Sequence, residues 1–160
     1  MPGEEAGRGL PPSMRDRISF LLYRNAITAT ALADEILREL GLTARAVGIL
    51  SLVTEGEPMT QRAMGATLGV DKSTMVLLLD DLEAKGLVNR IRHPEDRRAF
   101  LIEPTAAGIS AQRRALGLLE ECEGRFLGVL THEEADQLRE LLRRLHTQEG
   151  PPAHTPSSVT

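Results

Sequence analysis

The sequence predicts a mostly α, α+β fold of about six helices and a two-stranded β-hairpin. Three features indicate it. Apolar residues recur every three to four positions through most of residues 13–145, which is the period of helices packed on a core. Residues 88–103 instead alternate in steps of two on either side of a charged tip, as paired strands do. Gly69 and Gly86 follow short helical segments, where a helix commonly ends in a left-handed residue.

The first long segment, residues 13–42, is predicted to be helical and buried on more than one side, because apolar residues surround most of its circumference. These residues are Ile18, Leu21, Leu22, Ala26, Ala29, Ala33, Ile36, Leu37 and Leu40. Residues 43–55 are predicted to form the next helix, with Val47, Leu50 and Val53 directed inward.

Two shorter helices joined by a tight turn are predicted to follow. Thr60 and Asp71 are suited to cap their first turns, because a hydroxyl or carboxylate oxygen can accept from the unpaired amides there. The second helix covers residues 72–85 and has one apolar stripe for packing on the first. That stripe is Met75, Leu79 and Leu82.

The opposite stripe of helix 72–85 would meet base edges if DNA is bound. It contains Ser73, Val76, Leu77 and Asp80. The two strands that follow pair Leu87 to Arg92 with Ala99 to Glu103 around the tip. Such an arrangement suits duplex DNA, because the second helix can enter the major groove while the hairpin tip reaches an adjacent minor groove.

The C-terminal third is again predicted to be helical. Residues 105–130 carry apolar residues at helical spacing, namely Ile109, Leu116, Leu119, Cys122, Phe126 and Leu130. Thr131 and Glu134 have the spacing of a capping box, which starts a last amphipathic helix. Its inner stripe is Leu138, Leu141, Leu142 and Leu145.

The flanking helices are too apolar to stand alone, so we expect an intertwined homodimer. Residues 13–42 and 105–147 would form its dimerisation region, and residues 43–104 would form its DNA-binding region. The segments 1–12 and 148–160 are rich in Pro, Gly, Ser and Thr and are predicted to be disordered tails.

Four short motifs are shared with a known family. They are Leu68-Gly69-Val70, the run Leu82-Glu83-Ala84-Lys85-Gly86-Leu87-Val88 with Arg90, the tip Asp96-Arg97-Arg98, and Pro104-Thr105-Ala106-Ala107-Gly108. In this combination the chain resembles the MarR family of bacterial transcriptional regulators over roughly residues 13–147. The resemblance implies a homodimeric winged helix-turn-helix regulator of transcription, more often a repressor than an activator, that a small ligand releases from DNA.

The resemblance also implies roles in the wing, residues 89–102. Arg98 would enter the minor groove, and Asp96 would orient it through a short ion pair. Arg92 and Arg97 would contact phosphates, which position a protein without reading sequence. The complete set of expected DNA contacts is Thr60, Gln61, Lys72, Ser73, Thr74, Val76, Leu77, Arg90, Arg92, Arg97 and Arg98.

Members of the family bind small aromatic or lipophilic ligands where the helix at 43–55 would meet the dimerisation helices and the DNA-binding region. The candidates for lining such a pocket here are Phe20, Tyr23, Arg24 and Arg45. The alternative for Tyr23 is ordinary core packing, which is the more frequent role of an aromatic residue at helical spacing.

The formal net charge of −4 would disfavour nucleic acid if it were spread evenly. Residues 85–98, however, contain five basic residues against two acidic ones. The field that matters to phosphates acts within about 8–10 Å at physiological salt, so a basic wing on an acidic body can bind DNA. No stretch approaches the roughly 18 uncharged apolar residues of a membrane helix, and a cytoplasmic protein is expected.

One departure from the family pattern leaves an alternative open. Relatives usually place a polar pair where this chain has Val76 and Leu77, and these side chains cannot form bidentate hydrogen bonds with bases. Readout would then rest on Ser73 and Thr74, on apolar contacts with thymine methyl groups, and on DNA shape. The alternative is a dimeric winged-helix module that binds a ligand or protein partner without sequence-specific DNA binding.

Other chemistries have little support in the sequence. Cys122 is the only cysteine and falls on an apolar stripe, where a buried structural thiol is expected. The four histidines lack metal-ligand spacing, and the expected role of His93 is a solvated wing residue near phosphate. No catalytic triad, phosphate loop or carboxylate pair is present, so neither an enzyme, a cofactor nor a metal site is predicted.

Overall fold

The structure, a computed structural model, describes residues 11–96 and 98–146. Its elements in chain order are α1 (Pro12–Arg15), α2 (Ile18–Leu37), a 3-10 turn (Arg38–Leu40), α3 (Ala44–Glu55), β1 (Met59–Thr60), α4 (Gln61–Leu68), α5 (Lys72–Ala84), β2 (Val88–Arg92), β3 (Phe100–Pro104), α6 (Ala106–Phe126) and α7 (His132–His146).

The mostly helical α+β fold is confirmed, with two differences from the predicted elements. Residues 13–42 divide into α1, α2 and the 3-10 turn, so the described part of the chain has seven α-helices rather than six. Met59 and Thr60 add a third strand, which turns the expected two-stranded hairpin into a three-stranded sheet. A strand of two residues is too short for any alternation to show in sequence.

The sheet is antiparallel, with strand order β1-β3-β2. Ile102 in the central strand pairs with Met59 on one side and Arg90 on the other. Its side chain is fully buried, which anchors the base of the wing to the helical core. The register therefore fixes the face on which the Arg90 side chain lies, because side chains of directly paired residues share a face.

The described residues up to Glu123 form one compact unit, and the described residues from Gly124 form a second. The first unit contains a continuous apolar core drawn from α2, α3, α4, α5, both wing strands and α6. Its fully buried large side chains are Leu37, Ile49, Leu50, Met64, Met75, Leu79, Leu82, Val88 and Ile102. The inward stripes predicted for α3 and α5 are thus confirmed. Cys122 is also buried, as predicted.

The exit from the wing is built around Thr105. Its hydroxyl donates to the Gly86 carbonyl at 2.7 Å and accepts from the Gly108 amide at 3.0 Å. A Cβ atom on Gly108 would lie 2.0 Å from the Leu87 carbonyl oxygen, so only glycine fits this approach of α6 to the start of β2. These contacts give a physical reason for the Thr-x-x-Gly motif after the wing.

In the second unit, the predicted capping box starts α7. The Thr131 hydroxyl accepts from the Glu134 amide at 3.3 Å, and the Glu134 carboxylate accepts from the Thr131 amide at 2.7 Å. The bonds from the Thr131 amide and hydroxyl lower the pKa of Glu134. The predicted tails, 1–12 and 148–160, lie outside the described residues except for Pro11 and Pro12, and Pro12 begins α1.

Candidate nucleic-acid interface

The helix-turn-helix forms as its capping residues predict. The Thr60 hydroxyl accepts from the Ala63 amide at 3.2 Å and starts α4. Gly69 ends that helix with a φ of 63°, a left-handed conformation that favours glycine. Asp71 then caps α5 by accepting from the Thr74 amide at 3.0 Å. The turn is therefore short and fixed at both ends, which holds α5 at a set angle to α4.

Asp71 does more than the predicted capping. Its carboxylate also accepts from the Ser73 hydroxyl at 2.5 Å and from the Thr74 hydroxyl at 2.6 Å. The Ser73 bond, followed by the bonds from Thr74, holds the pKa of Asp71 far below its ordinary value. Ser73 and Thr74, both expected DNA contacts, thus use their hydroxyl hydrogens within the protein. A weak sign of these bonds is the Asp-x-Ser-Thr order, which places two hydroxyls within reach of one cap residue.

The outward stripe of α5 is a mixed surface with an apolar centre. Leu77 is 70% exposed, and Val76 beside it is half-buried. Lys72 and Ser73 are exposed in the turn before them, and together with Asp71 these four side chains line a shallow depression. The structure therefore brings together the α5 residues that the sequence assigned to base contacts.

The wing tip has an internal framework that sequence reasoning missed. His93 is half-buried, and its Nδ1 accepts from the Glu95 and Asp96 amides, both at 3.2 Å. The Ala99 amide donates to the Asp96 carbonyl at 3.0 Å and closes the tip. His93 therefore shapes the tip from inside, and the expected role as a solvated wing residue near phosphate is replaced by a structural one.

The expected relation between Asp96 and Arg98 is wrong in its detail. The Asp96 carboxylate accepts from the Arg98 backbone amide at 2.9 Å instead of pairing with the guanidinium. Asp96 stands at the start of a turn, where an aspartate side chain readily accepts from the backbone amide two residues further along. The side chain of Arg98 is a harder partner to reach from there. Arg98 is exposed. Arg97, the other expected contact at the tip, lies outside the described residues.

Arg90 also departs from expectation. Its guanidinium bonds to Asp80 at 2.5 Å and to Glu83, both on α5, and the side chain is only 22% exposed. Partial burial works to lower the pKa of Arg90, but the hydrogen bonds and negative charges of Asp80 and Glu83 outweigh it and raise the pKa. The physical reason is register, because Arg90 shares the core-side face of β2 with Val88. We therefore reassign Arg90 from a DNA contact to a support of the wing.

A cleft of about 730 Å³ lies between α4 and the wing. It is bordered by several of the residues assigned to DNA from sequence, namely Thr60, Gln61, Lys72, Arg90 and Arg98. Asp96 and Phe100 also line it. Arg92 is exposed outside this cleft, with its guanidinium carbon 5.5 Å from the centroid of the Phe100 ring. That spacing is within the range of a cation–π contact.

The four residues assigned to a ligand pocket are placed less distinctively. Tyr23 is 62% exposed, Arg24 and Arg45 are exposed, and Phe20 is half-buried. None of them lines the cleft beside the wing. Over residues 11–96 and 98–146, the structure contains no group of three His, Cys, Asp or Glu side chains arranged to hold a metal ion. In the same ranges no helix combines the length and apolarity needed to cross a bilayer.

Comparison with known proteins agrees with this geometry. A model of the MarR family matches residues 40–99. A protein of Thauera aromatica, whose name assigns it to transcriptional regulation of the hcr operon, is 30% identical over 148 residues, which cover 92% of this chain and 87% of the relative. The crystal structure of a MarR family transcriptional regulator from Rhodococcus sp. RHA1 is 30% identical with a TM-score of 0.79, covering 88% of this chain and 100% of that one.

A third relative, CouR, has been solved in two states. CouR from Rhodococcus jostii RHA1 bound to p-coumaroyl-CoA is 29% identical with a TM-score of 0.75, covering 89% of this chain and 100% of that one. CouR described as a transcriptional repressor and bound to a 23-mer DNA duplex is 25% identical with a TM-score of 0.77, covering 84% and 96%. With 30% identity to a relative over most of both chains, and with a TM-score of 0.79 to the structure of a MarR family regulator, the chain belongs to the MarR family of transcriptional regulators.

Proposed function

We propose that the chain is a homodimeric DNA-binding repressor of the cytoplasm that reads a pseudo-palindromic operator. Helix 72–85 would lie in the major groove and wing 89–102 in the minor groove. The observation that carries the proposal is the exposed outer stripe of α5 beside a wing with Arg98 exposed at its tip. Lys72 of α5 and Arg98 border one cleft, so the two cations lie on the same side of the helix-turn-helix and wing.

The charge distribution supports the same orientation. The whole chain carries a net charge of −4, but its tip region concentrates basic residues. Arg90 pairs with both Asp80 and Glu83 on α5 and offsets one of their two negative charges, so these carboxylates would repel phosphate less than unpaired ones. Lys72, Arg92, Arg97 and Arg98 then supply the proposed phosphate and minor-groove contacts. Such binding weakens steeply as salt rises.

Self-association is supported by the solvent-exposed apolar side chains of each unit. In α2 these are Ile18, Leu21, Leu22, Tyr23 and Ile27. In α7 they are Leu138, Leu141, Leu142 and Leu145. Contiguous exposed leucines of this kind mark association surfaces in soluble proteins. We therefore propose that residues 13–42 and 105–147 form the dimer and present two recognition helices to half-sites about 34–36 Å apart.

We also propose that a small aromatic or lipophilic ligand modulates DNA binding. CouR binds p-coumaroyl-CoA, which makes an aromatic acyl compound a reasonable first probe. Phe20, Tyr23, Arg24 and Arg45 stay the candidate contacts, with arginines available for an acidic group. The proposed coupling would pass through the first unit, where buried Gln112 of α6 donates to Glu55 of α3 at 2.6 Å. A ligand that shifts α3 against α6 would disturb that bond.

One observation favours a second function. Leu77 exposes 70% of its surface at the centre of α5. An apolar side chain at this position cannot read bases by hydrogen bonds. A dimeric winged-helix module that binds a ligand or protein partner would leave this surface free for other uses. The experiment below separates the two functions.

The test is a selection of duplexes from a random-sequence DNA pool, followed by mobility-shift titration of the selected operator and of the DNA upstream of the gene. Salt is varied between about 50 and 200 mM, with heparin as competitor. A repressor retards one sequence family selectively and loses affinity as salt rises. Light scattering should give twice the mass of one chain. If no duplex is retained selectively even at low salt, the second function is favoured.

A further inference from the structure

The first turns of α5 carry a mixed polar and apolar outer surface that we call the reading face: Lys72, Ser73, Val76 and Leu77. Leu77 is the most exposed large hydrophobic residue of this helix at 70% exposure. Val76 lies beside it and Ser73 one turn before. The depression that these side chains line with Asp71 is open to solvent, and Lys72 gives it a positive border.

Hydrogen-bonding groups around the reading face are already used within the protein. The Ser73 and Thr74 hydroxyls both donate to Asp71, so toward an outside partner they can only accept. Further along α5, Asp80 and Glu83 are bonded to Arg90. The reading face therefore offers a partner one acceptor oxygen, one ammonium group and the methyl groups of Val76 and Leu77. Thr74, beside this face, offers a second acceptor oxygen.

The major groove contains one apolar group that such a face can recognise, the C5-methyl of thymine. The acceptor oxygens of Ser73 and Thr74 complement the exocyclic amine of adenine or cytosine, and Lys72 complements phosphate. A methylated cytosine carries its methyl group at the same ring position as thymine. Protein partners would offer larger apolar side chains, but the positive border at Lys72 and the basic wing favour a polyanion.

We propose that Leu77, with Val76, reads C5-methyl groups of pyrimidines in the major groove, so that operator recognition depends on thymine methyls and responds to 5-methylcytosine. The inference rests on the proposed DNA-binding function and names what its recognition helix reads. Burial of one methyl group corresponds to about a three- to fivefold change in affinity. Two or three such contacts in each half-site multiply to a discrimination comparable with that of hydrogen-bonded readout.

The test uses the operator duplex obtained from the selection, resynthesised with deoxyuridine in place of single thymines. Uracil lacks only the methyl group, so pairing and hydrogen bonding are kept. We expect one or more positions in each half-site where uracil weakens binding about three- to fivefold. At such a position, a C·G pair should bind more weakly than T·A, and methylation of that cytosine at C5 should restore part of the affinity.

The protein variants complete the test. In Leu77→Ala, binding of the thymine operator should weaken and the uracil penalty at one position should vanish. Glu57→Gln changes an exposed side chain outside α5, the wing and the proposed dimer segments, and should keep both the affinity and the uracil penalty. Circular dichroism establishes that Leu77→Ala is folded, and Val76→Ala provides a second variant of the same face.

The outcomes separate this inference from the function on which it rests. Selective operator binding that tolerates uracil at every position would overturn methyl readout alone. The same holds if Leu77→Ala keeps the full uracil penalty at every position. Absence of selective binding to any duplex would overturn the proposed repressor function and methyl readout with it. A uracil penalty that disappears in Leu77→Ala and is mimicked by 5-methylcytosine supports both.

Discussion

Arg90 on β2 donates from Nη2 to the Asp80 carboxylate on α5 at 2.5 Å, and its Nη1 bonds to Glu83 one turn further along the same helix. One guanidinium therefore joins the base of the wing to the helix that is proposed to enter the major groove. The two carboxylates face the same cation, so each bond also reduces the repulsion between them. We call Arg90, Asp80 and Glu83 the fork. The angle between α5 and the wing depends on the contacts among these three side chains.

The fork predicts that Arg90→Gln weakens operator binding without removing a phosphate contact. We expect an affinity loss of about 1 kcal/mol from the less constrained wing, with the slope of log affinity against log salt unchanged. Because the partners are 41–55% exposed, the free energy of unfolding should fall by no more than about 1 kcal/mol. Mobility-shift titrations at several salt concentrations and urea unfolding measure both quantities. A slope reduced by about one would show that Arg90 contacts phosphate after all.

Arg98→Ala should have a different signature. Its side chain is exposed at the wing tip and is proposed to enter the minor groove, so we expect a loss of about 1–3 kcal/mol in operator affinity and a weaker preference for A·T pairs beneath the wing. The salt slope should also fall. Arg113→Ala, which removes an exposed arginine from α6, serves as the control and should bind normally. An unchanged dissociation constant and salt slope in Arg98→Ala would refute the assignment.

Asp71 predicts a pH dependence of stability. The hydrogen bonds from Ser73 and Thr74 keep its pKa well below the ordinary value of the unfolded chain, about 3.9. The folded state therefore binds this proton less readily than the unfolded state, so the charged cap stabilises the fold above about pH 4 and this contribution is lost as pH falls further. Asp71→Asn keeps a capping oxygen but cannot titrate.

The measurement is urea unfolding of the native chain and of Asp71→Asn between pH 6 and pH 3. The native chain should be the more stable of the two at pH 6, and the difference should shrink toward pH 3. A difference that stays constant over this interval would mean that the carboxylate charge of Asp71 contributes nothing. Ser73→Ala, which removes the first of the hydroxyl bonds, should reduce the pH dependence partway.

The sequence predicted the parts of the fold that local chemistry determines. Thr60, Asp71 and Thr131 begin helices as expected, and Gly69 and Gly86 have the positive φ values that their positions indicated. Apolar periodicity also found the inward stripes of α3 and α5. These signals could be recognised because each depends on residues no more than four positions apart.

The site was harder to predict because its contacts depend on the strand register and on which of several possible partners forms each hydrogen bond. Arg90 and Arg92 share one face of β2, but Arg90 stands opposite buried Ile102, close to the core, where its guanidinium reaches Asp80 on α5. The Asp96 carboxylate accepts from the backbone amide of Arg98, where an ion pair with the Arg98 side chain was expected. The third strand, Met59–Thr60, forms only because β3 offers an edge, which no local pattern in those two residues could indicate.

Gly108 gives a stability prediction with an internal control on the same helix. A Cβ atom at Gly108 would lie 2.0 Å from the Leu87 carbonyl oxygen, and neither backbone can move without shifting α6 from the base of the wing. We expect Gly108→Ala to destabilise the fold by about 1–3 kcal/mol, as overpacking does. At Gly117, by contrast, an added Cβ meets no atom of the described residues within 4 Å. Gly117→Ala should therefore stabilise the chain by about 0.5–1 kcal/mol, because alanine is the better helix former.

Urea unfolding of the two variants beside the native chain measures the opposite signs. Operator binding adds a second readout, since a shifted α6 would loosen the Thr105 contacts that close the wing. Gly108→Ala should lose affinity even where it is fully folded, whereas Gly117→Ala should bind normally. If the two variants changed stability in the same direction and by the same amount, the close approach of α6 to Leu87 would not explain the glycine at position 108.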